Sequence, residues 1–269
     1  MKEYIYDDTF EGLLTAIFYA YSCRENCIIT KSRDYIPSFL NEVLNISTEY
    51  DKFDRVYKSI IKKLNRKVLT NIYYLYLCGI SDSSSIALKY LKLCYKYGTN
   101  INLAKNNDII ILVDKYTRKV TAEAHNFNGF VRFKEIAPLS FYAPIEPEHN
   151  ILPLILNHFT RRFSDQNFII HDLKRELAII YNKNTAIITE FKKEDAKILN
   201  SLSNISKTTG HTLENPTILS KLDNLSGLLV NGYFLHSSGL HFSISQAPFF
   251  IKKQHGFSFT SYSSFNYQL

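Results

Sequence analysis

The hydrophobic period of this chain changes near residue 129, and that change limits what the chain can fold into more than any other feature. From about 51 to 125 the apolar residues recur at helical spacing. Phe53, Val56, Tyr57, Ile60, Ile61 and Leu64 mark one amphipathic helix, and Leu69, Ile72, Tyr73, Tyr76 and Leu77 mark the next. A third runs from Ser85 to Tyr97 and stops at Gly98, and Ile109, Leu112, Val113, Tyr116, Val120 and Ala124 mark a fourth. From Gly129 the period becomes two. Strands are predicted over 130–134 and 140–143, joined through Pro138, and then a helix over 150–163 with Pro153 in its first turn. Further strands follow over 168–171, 177–181 and 186–189, the last two forming a hairpin around Asn182–Thr185. The reading is an antiparallel β-β-α-β-β-β unit with a helix on one face. A strand over Glu3–Tyr6, a helix capped within Asp7–Thr9 and a second strand over Cys27–Thr30 precede the helical stretch. The class is α+β, with one domain over 1–190. Residues 191–269 are rich in Ser, Asn and aromatics and lack a sustained period. They are expected to be peripheral or mobile, with short strands near 227–230 and 241–244.

Composition narrows the function classes. The 269 residues are 45% hydrophobic and 21% charged, which suits a packed core and argues against wholesale disorder. Four cysteines without a CxxC pair make neither a disulfide framework nor a zinc site. The acidic N-terminus does not read as a signal peptide, and no apolar run is long enough for a membrane span. A soluble, reduced, cytoplasmic protein is expected. The formal charge of +7 permits a polyanionic partner, although a lysine-rich composition produces the same excess without one.

The reactive side chains are densest between 123 and 175. His125, Glu146, His149, His171 and Asp172 form the candidate catalytic set, because histidine and carboxylate together supply general acid–base chemistry. The prolines of Tyr142–Asn150 stiffen the approach to the following helix, so His125, Glu146 and His149 are expected to face one cleft. The plainer alternative has Asn150 capping that helix and Glu148 complementing its dipole. Arg132, Arg161, Arg162, Lys174 and Arg175 form the candidate nucleic-acid surface, with Phe127, Phe130, Phe133 and Phe163 either stacking bases or filling the core. The helix dipole alone also favours Arg161 and Arg162 at a helix C-terminus. Lys58, Lys62, Lys63, Arg66 and Lys67 lie at helical spacing and read as a solvated face. No dinucleotide fingerprint, P-loop, nucleophile elbow, HExxH or zinc-deaminase pattern occurs, and neither cofactor nor metal is expected.

Several motifs together resemble a bacterial family held to act in DNA metabolism, the domain of unknown function numbered 4130. They are Tyr6–Leu14, then Glu123–Phe133 (EAHNFNGFVRF), then Tyr142–Leu152 (YAPIEPEHNIL), then His158–Phe159 with Arg161–Phe163, and finally Ile170–Asp172. The resemblance covers about residues 3 to 190. It implies an accessory to DNA repair or modification that works beside a radical S-adenosylmethionine protein, and some relatives carry a fused uracil-DNA-glycosylase-like domain. Relatives tend to end in a basic segment with Asn-Pro and Tyr-Trp pairs, and the chain after 191 has no counterpart of it. An enzyme built on the His/Glu/Asp set and an adaptor without DNA contact stay open as alternatives.

Overall fold

The computed structural model describes residues 1–23, 27–39, 41–137 and 139–197. They form two compact units, one of Met1–Phe130 with Pro147–Leu154, the other of Val131–Glu146 with the described residues from Ile155 onward. The α+β class holds. The expected strands near 227–230 and 241–244, and the tail from 198, lie outside the described residues.

The first unit holds a parallel three-stranded sheet in the order β2-β1-β3, from β1 (Lys2–Tyr6), β2 (Cys27–Lys31) and β3 (Glu42–Ile46). The short strand β3 carries no period that the sequence reading caught; its pairing with β1 defines it. Around the sheet lie α1 (Phe10–Tyr21), α2 (Tyr50–Lys63), α3 (Arg66–Leu77), α4 (Ser83–Tyr97) and α5 (Asp108–Phe130). Local chemistry sets several of the helix ends. Thr9 Oγ1 accepts the Gly12 N–H at 2.8 Å and Asn65 Oδ1 accepts the Val68 N–H at 3.0 Å, each removing an orphan donor. Gly98, at φ 75°, ends α4 in a conformation that side chains rarely adopt.

Packing completes the unit. The outer edge of β2 is closed by α4, where Ser85 Oγ accepts the Ile29 N–H at 2.9 Å and donates to its carbonyl at 3.2 Å. Lys31 is buried, and its Nζ donates to the carbonyls of Tyr76 and Cys78 at the end of α3, at 2.7 and 3.2 Å. Burial pulls its pKa down to about 8.

The second unit is a five-stranded sheet in the order β4-β5-β6-β7-β8, from β4 (Lys134–Ala137), β5 (Ser140–Ile145), β6 (Asn167–Asp172), β7 (Leu177–Asn182) and β8 (Ala186–Glu190). The β-β-α-β-β-β order is as read, with α6 (Leu152–Arg162) as the helix. One pairing is corrected. β5 and β6 run parallel, because α6 carries the chain back across the sheet before β6 begins. Tyr142, Ile169, Ala178 and Ile180 share one face with Phe191 and Ala196, while Phe168 lies among the aromatic rings of the other. With both faces covered, β6 buries five successive residues, so its sequence reads as an apolar run rather than an alternation.

Two finer expectations also change. The stretch 130–134 is not a strand: α5 continues to Phe130 and the β4 ladder begins only at Lys134, opposite Tyr142. Arg132 therefore sits in a connector. Asn150 does not cap α6, since its Oδ1 is buried without a partner among the described residues and its N–H goes to the Leu77 carbonyl at 2.9 Å.

Candidate nucleic-acid interface

In the second unit an aromatic cluster positions the cations. Phe133 meets Phe163, Phe159 and Phe168 edge-on at 5.1, 5.7 and 5.8 Å, and Phe159 and Phe163 lie stacked at 6.2 Å. Phe133 and Phe163 thus serve packing, which leaves Arg132 exposed beside the end of α6, where Arg161 and Arg162 are also exposed. The Arg162 guanidinium lies over the Phe163 ring at 5.8 Å. The hydroxyl of Tyr181 lies 2.7 Å from the Lys183 carbonyl and 3.2 Å from that of Ser164, tying the β7–β8 turn to the segment after α6. Lys183, at φ 70° in that turn, adds an exposed cation, with Asp165 the nearby carboxylate. Lys134 is also exposed, but it opens β4 opposite Tyr142 and so lies inward of this end of the sheet. The sequence reading missed Lys183. A residue at a turn tip gives a weak signal alone, and only the sheet with the Tyr181 hydroxyl brings it to the end of α6.

Lys174 and Arg175 are elsewhere. They follow β6, a six-residue strand that spans roughly 17 Å, and so lie at the other end of the sheet. Asp172 Oδ1 accepts the N–H groups of Lys174 and Arg175 at 3.0 and 3.2 Å, and its Oδ2 takes Arg175 Nη1 at 2.8 Å. With side-chain exposures of 9% for Arg175 and 0% for Asp172, this pair closes the β6–β7 turn. Lys174 alone of the two is open to solvent.

The candidate catalytic residues are divided between the two units. In the first unit His149 is 1% exposed, and its Nδ1 accepts the Gly79 N–H at 3.1 Å, which requires a neutral ring protonated at Nε2. The N–H groups of Glu148 and His149 donate to the two carboxylate oxygens of Glu123 at 2.7 and 2.8 Å. His125 is two residues beyond Glu123 on α5, so it projects from the opposite side of the helix, and it is exposed. Glu146 is an exposed residue of the second unit. His171 is buried there, with Nδ1 2.9 Å from the Tyr142 hydroxyl and the Phe191 ring edge-on at 4.9 Å. Its Nε2 has no partner among the described residues. Burial lowers its pKa and pushes that of Tyr142 up to about 12. His171 and Asp172 are neighbours on β6, so they project to opposite faces of the sheet and make no acid–base pair. Among the described residues no three His, Cys, Asp or Glu side chains gather to hold a metal.

The sequence profile of the domain of unknown function DUF4130 matches residues 81–222, which is more than half of the chain. The chain belongs to this family. The match takes in the EAHNFNGFVRF and YAPIEPEHNIL segments, both arginines of α6 and the β6 motif, and the family's description names no activity. The opening motif Tyr6–Leu14 lies before the matched span. No curated protein matches the chain.

Proposed function

We propose that this DUF4130 protein is a nucleic-acid-associated accessory of DNA repair or modification, acting in the bacterial cytoplasm beside a radical S-adenosylmethionine or glycosylase-type enzyme. The observation that carries the reading is the gathering of Arg161, Arg162 and Lys183 at one end of the second unit's sheet, near Asp165, with the exposed Arg132 next to the Phe133 ring that packs on Phe163. A guanidinium lying over a packed ring, as that of Arg162 lies over Phe163, presents its donors in more defined directions than a mobile lysine does, which suits phosphate oxygens. Such contacts position a nucleic acid without reading its bases. Among the described residues no helix is long and apolar enough to cross a membrane, which leaves a membrane-spanning role unsupported.

The test is DNA affinity as a function of salt. Reversal of both arginines (Arg161→Glu with Arg162→Glu) is expected to weaken binding to all sequences alike. The slope of log affinity against log salt should fall by about 1.5, at roughly 0.7 to 0.9 per phosphate contact. A lowered melting temperature with unchanged affinity and slope would instead assign the arginines to the helix dipole and sink the reading.

A further inference from the structure

The first unit carries a second cationic surface, built on α5 and assigned no role by the sequence reading. Ile111, Lys115, Arg118, Lys119 and Ala122 fall at spacings of three and four residues, which align side chains on one face of a helix. With Lys105 and Asp114 they line an open depression of about 540 Å³. A neighbouring depression of about 340 Å³ shares Lys105, Asp114 and Arg118 and is continued by Lys67, Tyr74 and two threonines. The shared walls make the two depressions one trough.

Its charge is one-sided. Asp114 is the only carboxylate in either lining, and Lys105 pairs with it. Lys67, Lys115, Arg118 and Lys119 are exposed, and none is in an ion pair among the described residues. The walls are not wholly polar, however. Ile111 is 44% exposed, Ala122 adjoins it, and the half-buried ring of Tyr74 lines the smaller part.

We infer that this trough binds single-stranded nucleic acid, with phosphates on the lysine and arginine rim and an unstacked base against Ile111 or Tyr74. The inference deepens the nucleic-acid reading above and rests on it. The choice of a single strand follows from the apolar floor. A duplex meets a protein surface with phosphate and sugar and keeps the faces of its bases stacked inside, so it has nothing to place on Ile111 or Tyr74. A single strand offers a base face together with its charged backbone, the combination that cationic grooves with aromatic platforms hold.

The experiment measures binding of the full chain to a labelled twelve-nucleotide oligothymidylate and to a duplex of equal length, across a salt series. Four proteins are compared: wild type, Lys115→Glu/Arg118→Glu/Lys119→Glu, Ile111→Ser, and Arg161→Glu/Arg162→Glu. The α5 triple variant is expected to lose at least tenfold in single-strand affinity and about 2 in salt slope, while duplex binding changes less than threefold. Ile111→Ser is expected to weaken single-strand binding severalfold with the slope unchanged, because it removes no charge. Should the triple variant lose its helical circular dichroism, the neutral pair Lys115→Gln/Lys119→Gln replaces it, with an expected slope change of about 1.4. Wild-type single-strand affinity in every α5 variant would overturn the inference, and so would equal losses on both ligands. If only the Arg161/Arg162 variant weakens binding, the proposed function stands and the trough falls. If wild type binds neither ligand, both fall.

Discussion

His171 shows how one buried side chain becomes a pH-dependent contribution to stability. Its pKa is held below the ordinary histidine value chiefly by desolvation, so the unfolded chain takes up a proton at a higher pH than the folded one. Stability from the neutral ring is therefore complete above about pH 6.5 and is lost as pH falls through the lowered folded value. Melting temperatures measured from pH 7.5 to 5 are expected to fall for the wild type. They should fall less for His171→Phe, which keeps ring packing against Phe191 without the titration; parallel curves would refute this. Asp172 makes a different residue-level prediction. Its carboxylate holds two turn N–H groups and a nearly buried guanidinium. Asp172→Ala strands that charge, and urea unfolding is expected to show a loss of about 3 kcal/mol. A loss below about 1 kcal/mol would mean that Arg175 finds another partner.

At the scale of the element, α1 depends on a network rather than on propensity. Asp7 Oδ1 accepts from Thr9 Oγ1 at 2.6 Å, and Asp7 Oδ2 accepts from Thr48 Oγ1 at 2.6 Å, joining the start of α1 to the segment after β3. A Cβ at Gly12 would lie 2.0 Å from Asp7 Oδ1. Gly→Ala within a helix ordinarily stabilises by about 1 kcal/mol. Here Gly12→Ala is expected to lower the melting temperature, because the carboxylate must leave its partners to admit the methyl. Thermal denaturation decides, and a rise would show that the network yields cheaply. The Tyr142–Asn150 segment shows a related effect. Its prolines did suggest a stiff approach, but Glu123 and Gly79 are what hold Glu148 and His149.

At the scale of the molecule, the four thiols report whether the first unit opens as a whole. Cys78 and Cys94 are fully buried, and burial raises both thiols, that of Cys94 to about 11. Cys23 and Cys27 are partly exposed. An aromatic disulfide reagent acting on native protein is expected to label Cys23 and Cys27 in a fast phase. Cys78 and Cys94 should follow only at the rate of unfolding, since the thiolate must form and be reached. Labelling of all four in one phase would contradict a closed core around α3 and α4.

The sequence by itself determined what is encoded within a dozen residues: the amphipathic stripes of α2 to α5, the stop at Gly98, the hairpin around Asn182–Thr185 and the helix after the proline-rich approach. A helical period, a glycine at positive φ and a turn all act between near neighbours, so local text carries them. The tertiary structure decided the parallel pairing of β5 with β6, the existence of β3, the far end of α5 and the partners of the candidate site residues. Arg162 and Lys183 reach one end of a sheet although 21 residues separate them in sequence (183 − 162). His149 bonds a backbone N–H that lies 70 residues away. A strand edge or a buried polar atom must be satisfied by whatever the fold brings to it, and no periodicity in the surrounding sequence names that partner.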